Sequence, residues 1–332
     1  MPVPIIFGVI AGGAAIYGAI KGVSGAIDHS NAKNINTEAQ STVDEANHKV
    51  EEQRKTTFNA LEKYGKRKLS AFESVIADFL KSYKKLNNVE INQTHELDKL
   101  GIGDFSSQSL TGLSNDYQAL QDAGLGLGAG LGGGAALAFG AYNGTMLLAT
   151  AGTGTAISSL SGVAATNATL AWLGGGTLAA GGGGMALGTM VLGGIVAGPA
   201  LAIFGHILGN KGEEALNNAR SNMEQALSIR AAATLTVSKL QAIEKITSLA
   251  SQTFQQITIQ LRHSTDALTE VIETYGNDYR TFNQASQETV HRAVKFAQLA
   301  KAMIDTPILD KNGNMILATQ KRIEELQAVI TA

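Results

Sequence analysis

Residues 123–210 run for 88 positions without one Asp, Glu, Lys or Arg, in a chain of 332 residues that is 16% charged. A helix on a water-exposed surface keeps a polar face, and these residues offer nothing more polar than Ser, Thr, Asn and one His. About 20 apolar residues cross a bilayer, so the stretch has room for up to four crossings. The strongest candidates are residues 131–150 and 185–208. Gly fills 25 of the 88 positions, and each Gly costs a water-exposed helix about 1 kcal/mol relative to Ala. Close helix packing in lipid offsets that cost. Gly124, Gly128 and Gly132 form a ridge at i, i+4 spacing, and Gly205 and Gly209 repeat the interval. Gly181, Gly182, Gly183 and Gly184 form a hinge before Met185. The competing expectation makes the stretch the buried core of a helical domain wrapped by its flanks; a protein that switches between a soluble and an inserted form satisfies both.

The flanks are of a different kind. Only 4 prolines occur in the whole chain, and its Ala, Leu, Glu, Lys and Gln content favours helix, so the fold class is all-α. Residues 1–28 open with 20 uncharged positions, MPVPIIFGVIAGGAAIYGAI, enough for a retained apolar helix rather than a cleaved leader, since Lys21 follows the apolar run instead of preceding it. Residues 29–87 carry apolar side chains every three or four positions, among them Val43, Val50, Leu61, Phe72 and Phe79, and form a first coiled-coil-like arm. Gly65 is its weak point, and Lys66, Arg67 and Lys68 read as a solvated face. Residues 88–122 have the texture of a neck. The helical pattern resumes over 211–304, from Leu216, Leu227 and Leu235 to Tyr279 and Phe282, as a second arm or two helices in series. Residues 305–332 contain the turn Asp310-Lys311-Asn312-Gly313 and a last helix. An even number of crossings between the arms predicts that they pack antiparallel.

Little in the chain suggests catalysis. Asp and Glu number 28 against 26 Lys and Arg, which leaves no basic footprint for nucleic acid. Without Cys there is no thiolate metal site or thiol nucleophile. The six histidines lack metal-binding spacing, and Gly205–Lys211 fails the phosphate-loop pattern. The expectation is a non-enzyme with no cofactor and no small-molecule substrate. Tyr142, Trp172 and His206 carry the amphipathic rings that favour a membrane interface.

The stretch TGTAISSLSGVAATNATLAWLGGGTLAAGGGGMALG, residues 153–188, resembles a signature of a family of bacterial glycine-rich proteins with a membrane hairpin and a coiled coil. The N-terminal apolar segment followed by a Glu/Lys-rich helix resembles the same family, which implies a bacterial source and supplies no activity. The architecture is similar, by analogy only, to helical pore-forming toxins. The functional expectation is a membrane-inserting helical effector that oligomerises into a pore; its rival is a membrane-anchored coiled-coil scaffold. Its partners are then a lipid bilayer, in the bacterial inner membrane or a target membrane, and further copies or a coiled-coil partner.

Overall fold

From Ala219 to Leu268 every seventh residue is buried: Ala219, Ala226, Ala233, Leu240, Thr247, Phe254, Leu261 and Leu268. Such a repeat keeps one seam of a helix facing a partner over many turns. The partner carries its own repeats. Ala32, Ala39 and Ala46, then Val43, Val50, Thr57, Tyr64 and Ala71, then Leu61, Lys68, Val75 and Ser82 are all buried at seven-residue intervals.

The computed structural model describes residues 26–89, 107–122, 139–141, 212–309 and 315–331. Helix α1 spans Ala26–Ala71, runs through a π-helical turn at Phe72–Ile76, and continues as α2 at Ala77–Tyr83. Helix α3 is Ser107–Asp122, α4 is the 64-residue helix Gly212–Tyr275, α5 is Gln284–Asp305 and α6 is Leu317–Thr331. The described residues are thus all-α. At 1.5 Å per residue α4 extends roughly 95 Å.

The two arms are parallel, which corrects the antiparallel expectation. Asn222 donates to Asn36 (3.0 Å, 186 residues apart), Thr57 to the Leu240 carbonyl (3.1 Å, 183 apart), and Ser82 meets Thr269 (2.9 Å, 187 apart). An antiparallel pair would change this separation by two residues for each step along the helix. Here it stays nearly constant. Of the residues between the arms, α3 and 139–141 pack on this body, with 139–141 seated beside Leu61 and Lys68, below the tops of the arms.

The lower part of the rod is a tight two-helix seam of alanines, with Ala32 and Ala219, Ala39 and Ala226, and Ala46 and Ala233 in shared clusters. Small side chains bring the helices together there, and the Asn36–Asn222 pair supplies the polar register mark that such seams use. The upper part is a larger core in which α5, α6 and α3 cover α1, α2 and α4. The π-turn sits at this change of packing. It adds one residue to a turn and delivers Phe72, Val75 and Ile76 to the core.

Two helix ends explain why the second arm divides in two. Gly276 adopts φ +81°, the left-handed conformation that ends α4. Asn283 then caps α5 by accepting from Ser286 N at 2.9 Å. Between them Asp278 pairs with Arg280 at 2.9 Å and accepts from Asn88 at 3.0 Å, and the two hydrogen bonds Asn87 N to Asn277 O and Tyr279 N to Asn87 O, at 2.8 and 3.1 Å, fasten the tops of the arms together.

Among the described residues no helix is long and apolar enough to cross a membrane. That finding overturns the transmembrane character and the membrane location expected from the sequence. Helices α1 and α4 have ample length, but each carries exposed charge along its outer face, for example Glu45 with Lys49 on α1. Of the candidate crossings, 1–20 and 185–208 lie outside the described residues, as does 131–150 apart from 139–141.

Candidate functional site: a buried lysine and the segment it holds

Lys68 belongs to the inward repeat that joins Leu61 to Val75, so the helix itself directs this lysine into the core. It is fully buried, which corrects the reading of Lys66–Lys68 as one solvated face. Lys66 stays at the surface, paired with Glu62 at 2.6 Å. Arg67 crosses the seam to donate to the Ser251 carbonyl at 3.0 Å and to the Gln255 side chain.

The ammonium of Lys68 donates to the carbonyl of Phe139 at 3.1 Å and lies 3.4 Å from that of Ile304. Ile304 lies in the last turn of α5, where carbonyls lack helical partners and the helix dipole is negative. Two ring faces add to this cradle: Nζ is 4.5 Å from the centroid of Tyr64 and 5.3 Å from that of Phe139. Burial nevertheless pulls the lysine down from its ordinary 10.5 to about 7, opposed by the charge of Asp305. Burial also holds the Tyr64 hydroxyl well above its usual range. That hydroxyl is aimed at the Met303 carbonyl, 3.5 Å away, and its ring meets Phe254 edge-on at 6.2 Å.

The segment so held is 139–141, a single helical turn. Phe139 is fully buried, tilted against Phe72 with centroids 6.1 Å apart. Burying such a ring contributes roughly 2–3 kcal/mol. At Gly140 a Cβ would stand 1.8 Å from the Leu61 carbonyl oxygen and 3.1 Å from Gly65 N. Backbone meets backbone here, and only glycine fits. The Ala141 carbonyl accepts two hydrogen bonds, from Ile308 N at 2.9 Å and Leu309 N at 3.0 Å. The stretch supplying these donors is fixed in turn by Thr319, which donates to the Pro307 carbonyl at 2.7 Å, and by the antiparallel bridge between Leu309 and Met315. The slot is therefore built from α1, the end of α5 and the approach to α6.

A second charged group braces the slot from outside. Lys301 pairs with Asp116 of α3 at 2.9 Å and Asp305 at 2.6 Å. Burial opposes its charge, but the two carboxylates outweigh that and raise it above its ordinary value. Asp116 is raised by burial, against the pull of Lys301. Gly112 of α3 passes directly over the Lys301 side chain, with a Cβ there 3.1 Å from Cε.

None of the residues singled out from the sequence as helix-packing, interface or hinge positions is among the described residues: Gly124, Gly128, Gly132, Gly205, Gly209, Tyr142, Trp172, His206 and Gly181 to Gly184 all lie outside them. Sequence reasoning missed Lys68, Tyr64, Phe139 and Gly140. The available signal was the seven-residue interval from Leu61 through Lys68 to Val75. Among the described residues no group of three or more His, Asp or Glu is placed to hold a metal ion. No protein-family model, curated protein or solved structure matches this chain.

Proposed function

We propose that this protein is a non-catalytic helical scaffold: a rigid parallel rod that seats part of its own uncharged segment and joins further copies through the outer face of α4. The parallel register of α1 and α4 carries the reading. It locks two long helices into one body, and along the outer face of α4 that body keeps Leu227, Leu235 and Ile259 exposed. The buried seat of 139–141 supports it as well. These residues fall inside the first expected membrane crossing, and a pore would require them to leave a core of interlocked backbones.

The test places a photo-cross-linking residue at Leu235 or, separately, at the buried Leu268 in the purified full chain. The scaffold predicts covalent dimers and larger species from position 235, and only links within one chain from position 268. Dye-loaded vesicles, neutral or anionic, remain sealed when the protein is added. Absence of intermolecular products at position 235, or release of the dye, overturns the proposal.

A further inference from the structure

The slot reads three successive residues by three different physical requirements. The first must be aromatic, because its ring fills the cleft beside Phe72 and lies within 5.3 Å of the Lys68 ammonium. The second must be glycine, because the Leu61 carbonyl occupies the place of a Cβ. The third must be small: Ala141 is 2% exposed, and its carbonyl engages two amides. The slot thus constrains its occupant at three successive positions, and in this structure that occupant is the chain's own 139–141.

Aromatic–glycine pairs recur in the uncharged parts of the sequence, as Phe7-Gly8, Tyr17-Gly18 and Phe204-Gly205. Of these, Tyr17-Gly18-Ala19 also has the small third residue; the others continue with Val9 and His206. Residue 19 cannot reach the slot of its own chain. The slot begins at Leu61, 35 helical residues above the start of α1 at Ala26, or roughly 52 Å at 1.5 Å per residue. The seven residues from Ala19 to Ala26 span at most about 25 Å when fully extended. Only another molecule can present this tripeptide.

We propose that the slot bounded by Leu61, Lys68, Phe72, Ile304 and Ile308 is an exchangeable recognition site for an aromatic–glycine–alanine tripeptide, and that the occupant able to replace 139–141 is Tyr17-Gly18-Ala19 of a second copy. The assignment rests on the scaffold reading above and supplies the chemistry by which one copy recognises the next. A tethered occupant competes at high effective concentration, so exchange is suppressed while 139–141 is seated. Weakening the resident segment exposes the site.

The probe is a fluorescent peptide of residues 13–23, GAAIYGAIKGV, titrated into full-length protein. Gly140→Val expels the resident backbone, and Phe139→Ala, which only removes its ring, serves if the first variant does not fold. The folded variant binds the peptide at least tenfold more tightly than the wild type, and a peptide carrying Gly18→Val loses that binding. Adding Lys68→Met to the protein weakens it. No binding by a folded Phe139→Ala or Gly140→Val variant overturns the proposal, as does binding that ignores Gly18→Val. Cross-linking from position 235 reads the scaffold separately, so loss of one result is distinguishable from loss of the other.

Discussion

Lys68→Met turns the buried cation into a measurable pH dependence. In the folded protein the lysine titrates at about 7, against an ordinary 10.5. Between those values the unfolded chain binds the extra proton and the folded chain does not, so stability rises with pH across this window and is flat below about pH 7. At about 1.4 kcal/mol per pH unit, raising the pH from 7 to 9.5 stabilises the wild type by about 3 kcal/mol. Methionine has similar length and no proton to lose. It leaves the Phe139 and Ile304 carbonyls without this donor, at about 1–3 kcal/mol each, but that cost does not vary with pH. The remaining titratable groups are common to both proteins, so the difference between the two curves isolates the lysine, with the charge of Asp305 facing it from α5. Above pH 10 the raised Tyr64 and Tyr83 reverse the trend, so the range ends at 9.5. Urea unfolding of both proteins at half-unit pH intervals gives the stability difference. A difference that grows by about 3 kcal/mol in favour of the wild type is expected; parallel curves would refute the reasoning, by showing that carbonyls and ring faces fully solvate the charge.

Gly140→Ala is expected to cost about 3 kcal/mol, the upper end for overpacking, because the obstacle is the Leu61 backbone; Gly276→Ala, with φ +81° but nothing within 4 Å of its Cβ, should cost about 1 kcal/mol. Chemical denaturation compares the two directly. The chain has no cysteine, so Ala32→Cys with Ala219→Cys should cross-link within one molecule, while Ala32→Cys with Leu268→Cys, near neighbours only in an antiparallel rod, should not; the opposite pattern on a non-reducing gel rejects the parallel register. Replacing both Asn36 and Asn222 by Leu should raise the thermal midpoint and loosen the register, read as broadened spin-label distances between α1 and α4; unchanged distances would show that the alanine seam alone fixes it.

The fold class was legible because helix is the only regular structure these proline-poor patterns support. The faces were less legible. Leu227 and Leu235 belong to the apolar pattern of the second arm, yet they are 38% and 57% exposed. Their neighbours Ala226 and Ala233 face the seam, since close helix approach selects small residues where a search for large ones looks past them. Direction failed because counting crossings treats residues 123–210 as travelling only through lipid, whereas 139–141 of that stretch are seated in the helical body. Lys68 was hidden by its charge: surface exposure is the ordinary rule for lysine, and only the interval from Leu61 to Val75 argued otherwise. Phe139 and Gly140 sit in a stretch whose composition speaks of lipid, and nothing local distinguishes a residue buried in protein from one buried in membrane.

The constant separation of about 187 residues between facing positions, as between Ser82 and Thr269, governs how this protein emerges from the ribosome. Each turn of α1 must wait for a partner that has not yet been translated. At roughly 5–20 residues per second the delay is on the order of 10–40 s, long compared with the microseconds in which a helix forms. Throughout it, Val43, Val50, Leu61 and Phe72 have nothing of their own chain to bury against except what precedes α4, and Phe139-Gly140-Ala141 arrives in the first half of that interval. The tripeptide is thus a distant piece able to dock on α1 early, a placeholder that covers the middle of the nascent helix before α4 exists.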